Sequence, residues 1–134
     1  MDVPARQLPV RRIRFDHAPG SLRRHYVDGD LVMSHVVAVL SATFPPGEDF
    51  FVRSVRHFSD QITDQELAQQ VRGFIGQEVT HGREHRELNR QLQEMGYPTR
   101  RVARFVKASL ADATRRAPAR LCLSYTAALE HYTA

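Results

Sequence analysis

Residues 67–95 read LAQQVRGFIGQEVTHGREHRELNRQLQEM, and the periodicity of this stretch decides the fold class. Leu67, Val71, Phe74, Glu78, His81, His85, Leu88, Leu92 and Met95 recur at alternating steps of four and three. That is the spacing of one face of a long helix packed in a bundle. Three successive positions of the stripe, Glu78, His81 and His85, carry groups that are costly to bury without a partner. Their apolar neighbours place them inside while their chemistry is charged or ligating, and a metal ion in the bundle reconciles the two.

Thr63 followed by Glu66 fits a capping box and predicts a helix start near residue 64. Gly96 with Pro98 beyond it predicts the end. About thirty residues at 1.5 Å each give a rod of roughly 45 Å. Upstream, residues 1–30 carry Pro4, Pro9, Pro19 and Gly20, with a short alternating piece near Val10–Phe15, and read as an extended lead-in without legible chemistry. Gly29 and Asp30 supply an N-cap for an apolar helix over 31–44. Pro45, Pro46 and Gly47 then interrupt it and can launch a continuation over 48–58. There Glu48, Phe51, Val55 and Phe58 share a face, so a carboxylate again stands in an apolar stripe.

Downstream, a segment from Pro98 keeps helical period through Val102, Phe105, Val106, Ser109, Leu110 and Ala113. Pro118 breaks or kinks it, and residues 121–134 resume with Leu123, Ala127 and Glu130 on one face. No cap, glycine or proline follows, so the last helix reads as cut off in mid-element. The expectation is an all-α chain, a lead-in over 1–30 and one bundle domain over 31–134. It has three rods, two broken by proline, where a bundle normally has four.

Composition narrows the function classes. The 134 residues suit one domain. No apolar run approaches the roughly 18 residues that cross a bilayer, and the N-terminus lacks a signal-peptide segment. Cys122 is the single cysteine, so no internal disulfide can form, which agrees with a reducing compartment. The expectation is a cytoplasmic protein with no membrane partner. The net charge of +4 comes almost wholly from arginine, Lys107 being the one lysine. Without aromatic interleaving or a recognisable binding motif it reads as a solvated surface, not a nucleic-acid interface.

Glu78 and His81 form a Glu-x-x-His pair that projects from adjacent turns of one face. His85 returns to within about 20° of Glu78 by helical arithmetic. In carboxylate-bridged di-iron and di-manganese bundles, two such pairs join one glutamate from each of two further helices. Glu48, Glu78 with His81, and Glu130 match that order, and the second Glu-x-x-His pair is missing. Two competing readings stay open. In one, Glu78, His81 and His85 satisfy one another and nearby arginines in a polar seam. In the other, residues 81–85 spell H-x-x-E-H, the inverted zinc-peptidase pattern with Glu84 as base; it leaves Glu78 unexplained and little chain after His85 to build a cleft. The ordinary H-E-x-x-H motif fails because Gln77 stands where its first histidine belongs.

The segments FPPGEDFFVRSVR (44–56), FIGQEVTHGREHRELN (74–89) and TAALEHYTA (126–134) together resemble the bacterial family of predicted metal-dependent hydrolases, whose spacing is ferritin-like. The resemblance covers nearly all of residues 10–134. It implies that Glu48, Glu78, His81 and Glu130 are metal ligands and that His85 is a further ligand or supports one. It also implies hydrolysis of a small-molecule substrate, while the carboxylate and histidine set itself suits a divalent cofactor of two ions, iron before manganese or zinc. Family members continue past the third segment into further helices, so a ferritin-like up-down bundle is expected to be incomplete here. Either the chain is a fragment or a second copy completes it as a homodimer. Oxygen activation at two irons, and a non-enzymatic metal-binding helical module, are the alternative functions, and no catalytic acid or base is assigned.

Overall fold

The computed structural model describes residues 13–15, 18 and 20–133. The expectations for residues 1–12, including Pro4, Pro9 and the start of the alternating piece, and for Pro19 and Ala134, fall outside the described residues. Among the described residues there are four helices and no strand: α1 (Leu31–Ser59), α2 (Gln65–Glu94), α3 (Thr99–Arg116) and α4 (Ala119–Thr133). The all-α expectation holds. No helix of the described residues is long and apolar enough to cross a membrane.

Each boundary has a local cause. Asp30 caps α1 by accepting from the Met33 N–H at 2.8 Å. Asp64 caps α2 through Leu67 N–H at 2.9 Å, so the cap lies one residue past the predicted Thr63. At the end of α2, Gly96 takes φ +94. The Tyr97 N–H reaches the Leu92 carbonyl and the Gly96 N–H that of Gln93. This paired closure requires the left-handed residue that glycine supplies, and the Leu92–Tyr97 contact seals it. Residue 98 gives α3 no side-chain cap; Gln93 Oε1 replaces it by accepting from the Arg100 N–H at 3.0 Å. Ala117 is extended, as the residue before a proline prefers to be, and the break at Pro118 separates α3 from α4.

The prolines of α1 behave otherwise. The sequence predicts that Pro45 and Pro46 end a helix, yet α1 runs through both without a break. Pro45 has no N–H to give the Ser41 carbonyl. That carbonyl instead accepts from Asn89 Nδ2 of α2 at 2.9 Å. A neighbouring helix thus supplies a hydrogen bond that the ladder loses, and both prolines are buried.

All three other helices pack on α1, and α2 also touches α3. Two apolar clusters result. One joins Ala38, Leu92 and Tyr97, with Tyr26, Leu88 and Met95 against it. The other joins Phe50, Phe51 and Cys122, with Phe74, Leu110 and Leu129 around them, and so draws on all four helices. The stripe of α2 is accordingly uneven: Leu92 is fully buried, whereas Leu67 is 47% exposed because little packs over the first turn. On α3, Phe105 is exposed. On α4 the inward face is Cys122, Thr126 and Leu129, one residue round from the predicted one. The stretch between the two clusters, 41–48 on α1 and 78–89 on α2, is where the polar residues collect.

Candidate metal centre

Antiparallel packing of α1 and α2 sets a ladder of polar contacts. Ser41 Oγ stands 2.8 Å from His85 Nδ1, and Asn89 holds the Ser41 carbonyl. One turn on, the Phe44 ring stacks on His85 with centroids 4.6 Å apart, and it tilts against His81 at 5.4 Å. Another turn on, Glu48 meets His81 and Gly82. Asp49 pairs with Arg86 at 2.8 Å.

Gly82 is what lets the Glu48 carboxylate lie against α2. A Cβ at that position would collide with Glu48 Oε2, and Arg86 Nη1 would stand only 3.3 Å from it. Mid-helix glycine costs about 1 kcal/mol relative to alanine, so its presence here answers to the carboxylate and not to helix formation.

The donors face one another. His81 Nδ1 lies 2.7 Å from Glu48 Oε1, and His81 Nε2 lies 3.0 Å from His85 Nε2. Despite the short approach, neither oxygen of Glu48 has a hydrogen-bond partner, although the residue is only 2% exposed. A buried carboxylate with no partner beyond this His81 contact is costly. One donor atom from each of Glu48, His81 and His85 fits within 4.8 Å of the others, close enough to hold a metal ion.

Of the five residues singled out from the sequence, these three come together. Glu78 and Glu130 lie outside that compact group but border it electrostatically. Burial, then the Glu78 carboxylate, pushes Glu48 up to about 8, with Arg86 pulling the other way and Glu130 adding to the rise. Burial, then Glu130, pushes Glu78 up to about 7. Burial also raises Glu130. The imidazoles move in the opposite direction: burial lowers His81, and burial with the nearby His81 lowers His85 to about 4. Without a cation the fold thus favours neutral forms throughout the site. Neutral imidazole is the ligating form, and a divalent ion would draw the carboxyls into theirs.

These shifts fix the pH dependence of the metal-free fold. Carboxyls raised by folding bind protons in the native state that the unfolded chain has lost, so they make stability fall as pH rises through 7 and 8. Histidines lowered by folding contribute stability that is present above their ordinary 6.5 and is lost as pH falls below it. The two sets oppose each other below 6.5, and above it the carboxyls act alone.

Glu84, the base of the inverted-peptidase reading, is turned away. It accepts from the Phe15 N–H at 2.9 Å and from Arg83 Nε at 2.8 Å, which together hold its carboxyl below the usual range. That reading is overturned, because the residue faces the N-terminal segment and not the two histidines. Sequence reasoning missed Ser41, Phe44, Gly82 and Asn89. For Gly82 a signal was present, a glycine inside a strong helical pattern between two histidines; for the others there was none before α1 and α2 were brought into register.

A family model described as predicted metal-dependent hydrolase matches residues 9–134. No curated protein and no solved structure matches the chain. The donor set found between α1 and α2 agrees with the metal dependence in that description, and a match over almost the whole length shows that the chain belongs to the family of predicted metal-dependent hydrolases.

Proposed function

We propose that this chain holds a divalent ion at Glu48, His81 and His85 and uses it to hydrolyse a small-molecule substrate. Glu78 and Glu130 serve on this reading as the carboxylates of a second ion beside the first. Glu48 carries the proposal: a buried carboxylate whose two oxygens lack hydrogen bonds, set against two imidazole nitrogens. Held by Glu48, His81 and His85, a divalent ion would supply polarisation of the scissile bond and a water of lowered pKa. The chain's own residues do the rest. Glu48, Glu78 and Glu130 bring the negative charge that offsets the cations, Phe44 screens one side of both imidazoles, and the half-exposed edge of His81 leaves the way in for substrate.

The preponderance of carboxylates suits iron or manganese better than zinc, and this favours dioxygen activation at two irons as the second reading. The ferritin-like bundle belongs to the same proposal. The sequence holds one Glu-x-x-His pair, and on this reading a second copy of the chain supplies the other. Metal analysis of protein purified without added metal, with sedimentation and optical spectra of the ferrous form before and after admitting air, tests these points. Hydrolysis predicts turnover of generic ester or phosphoester substrates; oxygen activation predicts a new visible band. Glu48→Gln and His81→Ala should each abolish metal retention while preserving helicity. Wild-type protein that retains no zinc, manganese or iron would refute the proposal.

A further inference from the structure

Among the described residues, Ser41 is the side chain that a hydrogen bond links to His85 Nδ1, the ring nitrogen turned away from His81. The serine is 2% exposed, and its Oγ stands 2.8 Å from Nδ1. A histidine that ligates through one ring nitrogen is held by the partner of the other, which fixes the tautomer and the ring plane. Ser41 is itself held from two sides. Its place on α1 puts the hydroxyl under His85, and its carbonyl, released by the missing N–H of Pro45, is tied to Asn89 Nδ2 one turn along α2 from His85. Phe44 stacks on the same imidazole at an interplanar angle of 19° and removes the remaining freedom of the ring.

We infer that Ser41 is the positioning residue of the metal centre: it accepts the Nδ1–H of His85 and so presents Nε2, with its lone pair, to the ion. The inference rests on the metal reading of Glu48, His81 and His85. The opposite assignment has the Ser41 hydroxyl donating to Nδ1. That would put the ring proton on Nε2, pointing at His81 Nε2 3.0 Å away, and would block ligation there. The proline pair acquires a role on this account. A regular helix would occupy the Ser41 carbonyl with its own ladder, whereas Pro45 leaves it for α2 and fixes the serine relative to the histidine on the facing helix.

The test uses the full chain, zinc as a diamagnetic probe and 15N-labelled histidine. In the zinc-loaded protein the ring-nitrogen spectrum of His85 should show a protonated, slowly exchanging Nδ1 and a ligated Nε2. Ser41→Ala should weaken zinc binding about 10- to 100-fold, the range for losing such a supporting hydrogen bond, and should lose the slow exchange at Nδ1. Ser41→Thr should restore both. The metal-free spectrum is read in parallel: His85 should carry its proton on Nδ1 in wild type and redistribute it in Ser41→Ala. Tight zinc binding by Ser41→Ala, or a wild-type His85 protonated on Nε2 in either state, overturns the inference. Failure of the wild type to bind zinc refutes the metal reading instead, and the metal-free tautomer still decides the role of Ser41.

Discussion

Replacing Gly82 by alanine separates helix stability from site geometry, because the two respond in opposite directions. Alanine in place of a mid-helix glycine gains about 1 kcal/mol of helix propensity. The added Cβ, however, falls well inside contact distance of Glu48 Oε2 and within 3.3 Å of Arg86 Nη1. The carboxylate must retreat by something on the order of 1 Å, and an error of that size disables a ligand set. Since Oε2 is the end of a flexible side chain, the retreat costs the fold little, and the metal-free variant should denature within about 1 kcal/mol of wild type. Metal affinity should nevertheless drop at least about tenfold, or about 1.4 kcal/mol.

The assay pairs denaturant unfolding of metal-free protein with calorimetric titration of zinc and manganese. Gly47→Ala is the control. Gly47 lies in α1 beside Glu48 but has nothing within 4 Å of its would-be Cβ; it should gain the propensity and keep the affinity. If Gly82→Ala binds metal as tightly as wild type, the claim that this glycine exists to admit Glu48 fails, and with it the placement of Glu48 among the ligands.

Metal-free protein should lose stability between pH 6.5 and 8, by on the order of 1–2 kcal/mol, since one to two buried carboxyls there give up protons that the native state favours. With saturating zinc the slope should flatten or reverse, because ligation needs the deprotonated groups; denaturation at both pH values reads the two slopes, and equal slopes contradict the account. Leu92→Ala should cost about 2–5 kcal/mol by unfolding, since Leu92 is fully buried among Ala38 and Tyr97 and closes the end of α2; a loss under 1 kcal/mol would show that this cluster does not hold α1 to α2.

The four-three stripe of α2, its termini and the break at Pro118 were legible because each depends on neighbouring residues and local backbone chemistry. Glu48, His81 and His85 were legible as chemistry that contradicts its apolar setting. What failed was non-local. Pro45 and Pro46 read as a stop because nothing in 31–58 reveals that Asn89, over forty residues later, supplies a donor for Ser41. Leu67 read as buried because periodicity reports a face and not whether a partner covers it. The inverted-peptidase reading of Glu84 failed for a similar reason: its spacing is sound, but the Phe15 N–H and Arg83 claim its carboxylate first.

The residues that sequence periodicity could not explain share one physical logic. Assembling Glu48, Glu78 and Glu130 with two imidazoles between apolar clusters raises every acid and lowers every base, so the metal-free site works against the fold. Such a site is kept only if the surrounding helices fix it from outside. Pro45 opens a backbone acceptor, Asn89 takes it, Ser41 faces His85, Phe44 covers the ring, and Gly82 clears room for Glu48. None of these lies on the donor list, yet each acts on the register of α1 against α2. Their clustering within 41–48 and 81–89 therefore argues that this helix pair is arranged around a ligand charge, because a purely structural pair would place alanine at 82 and an aliphatic residue at 41 and be more stable for both.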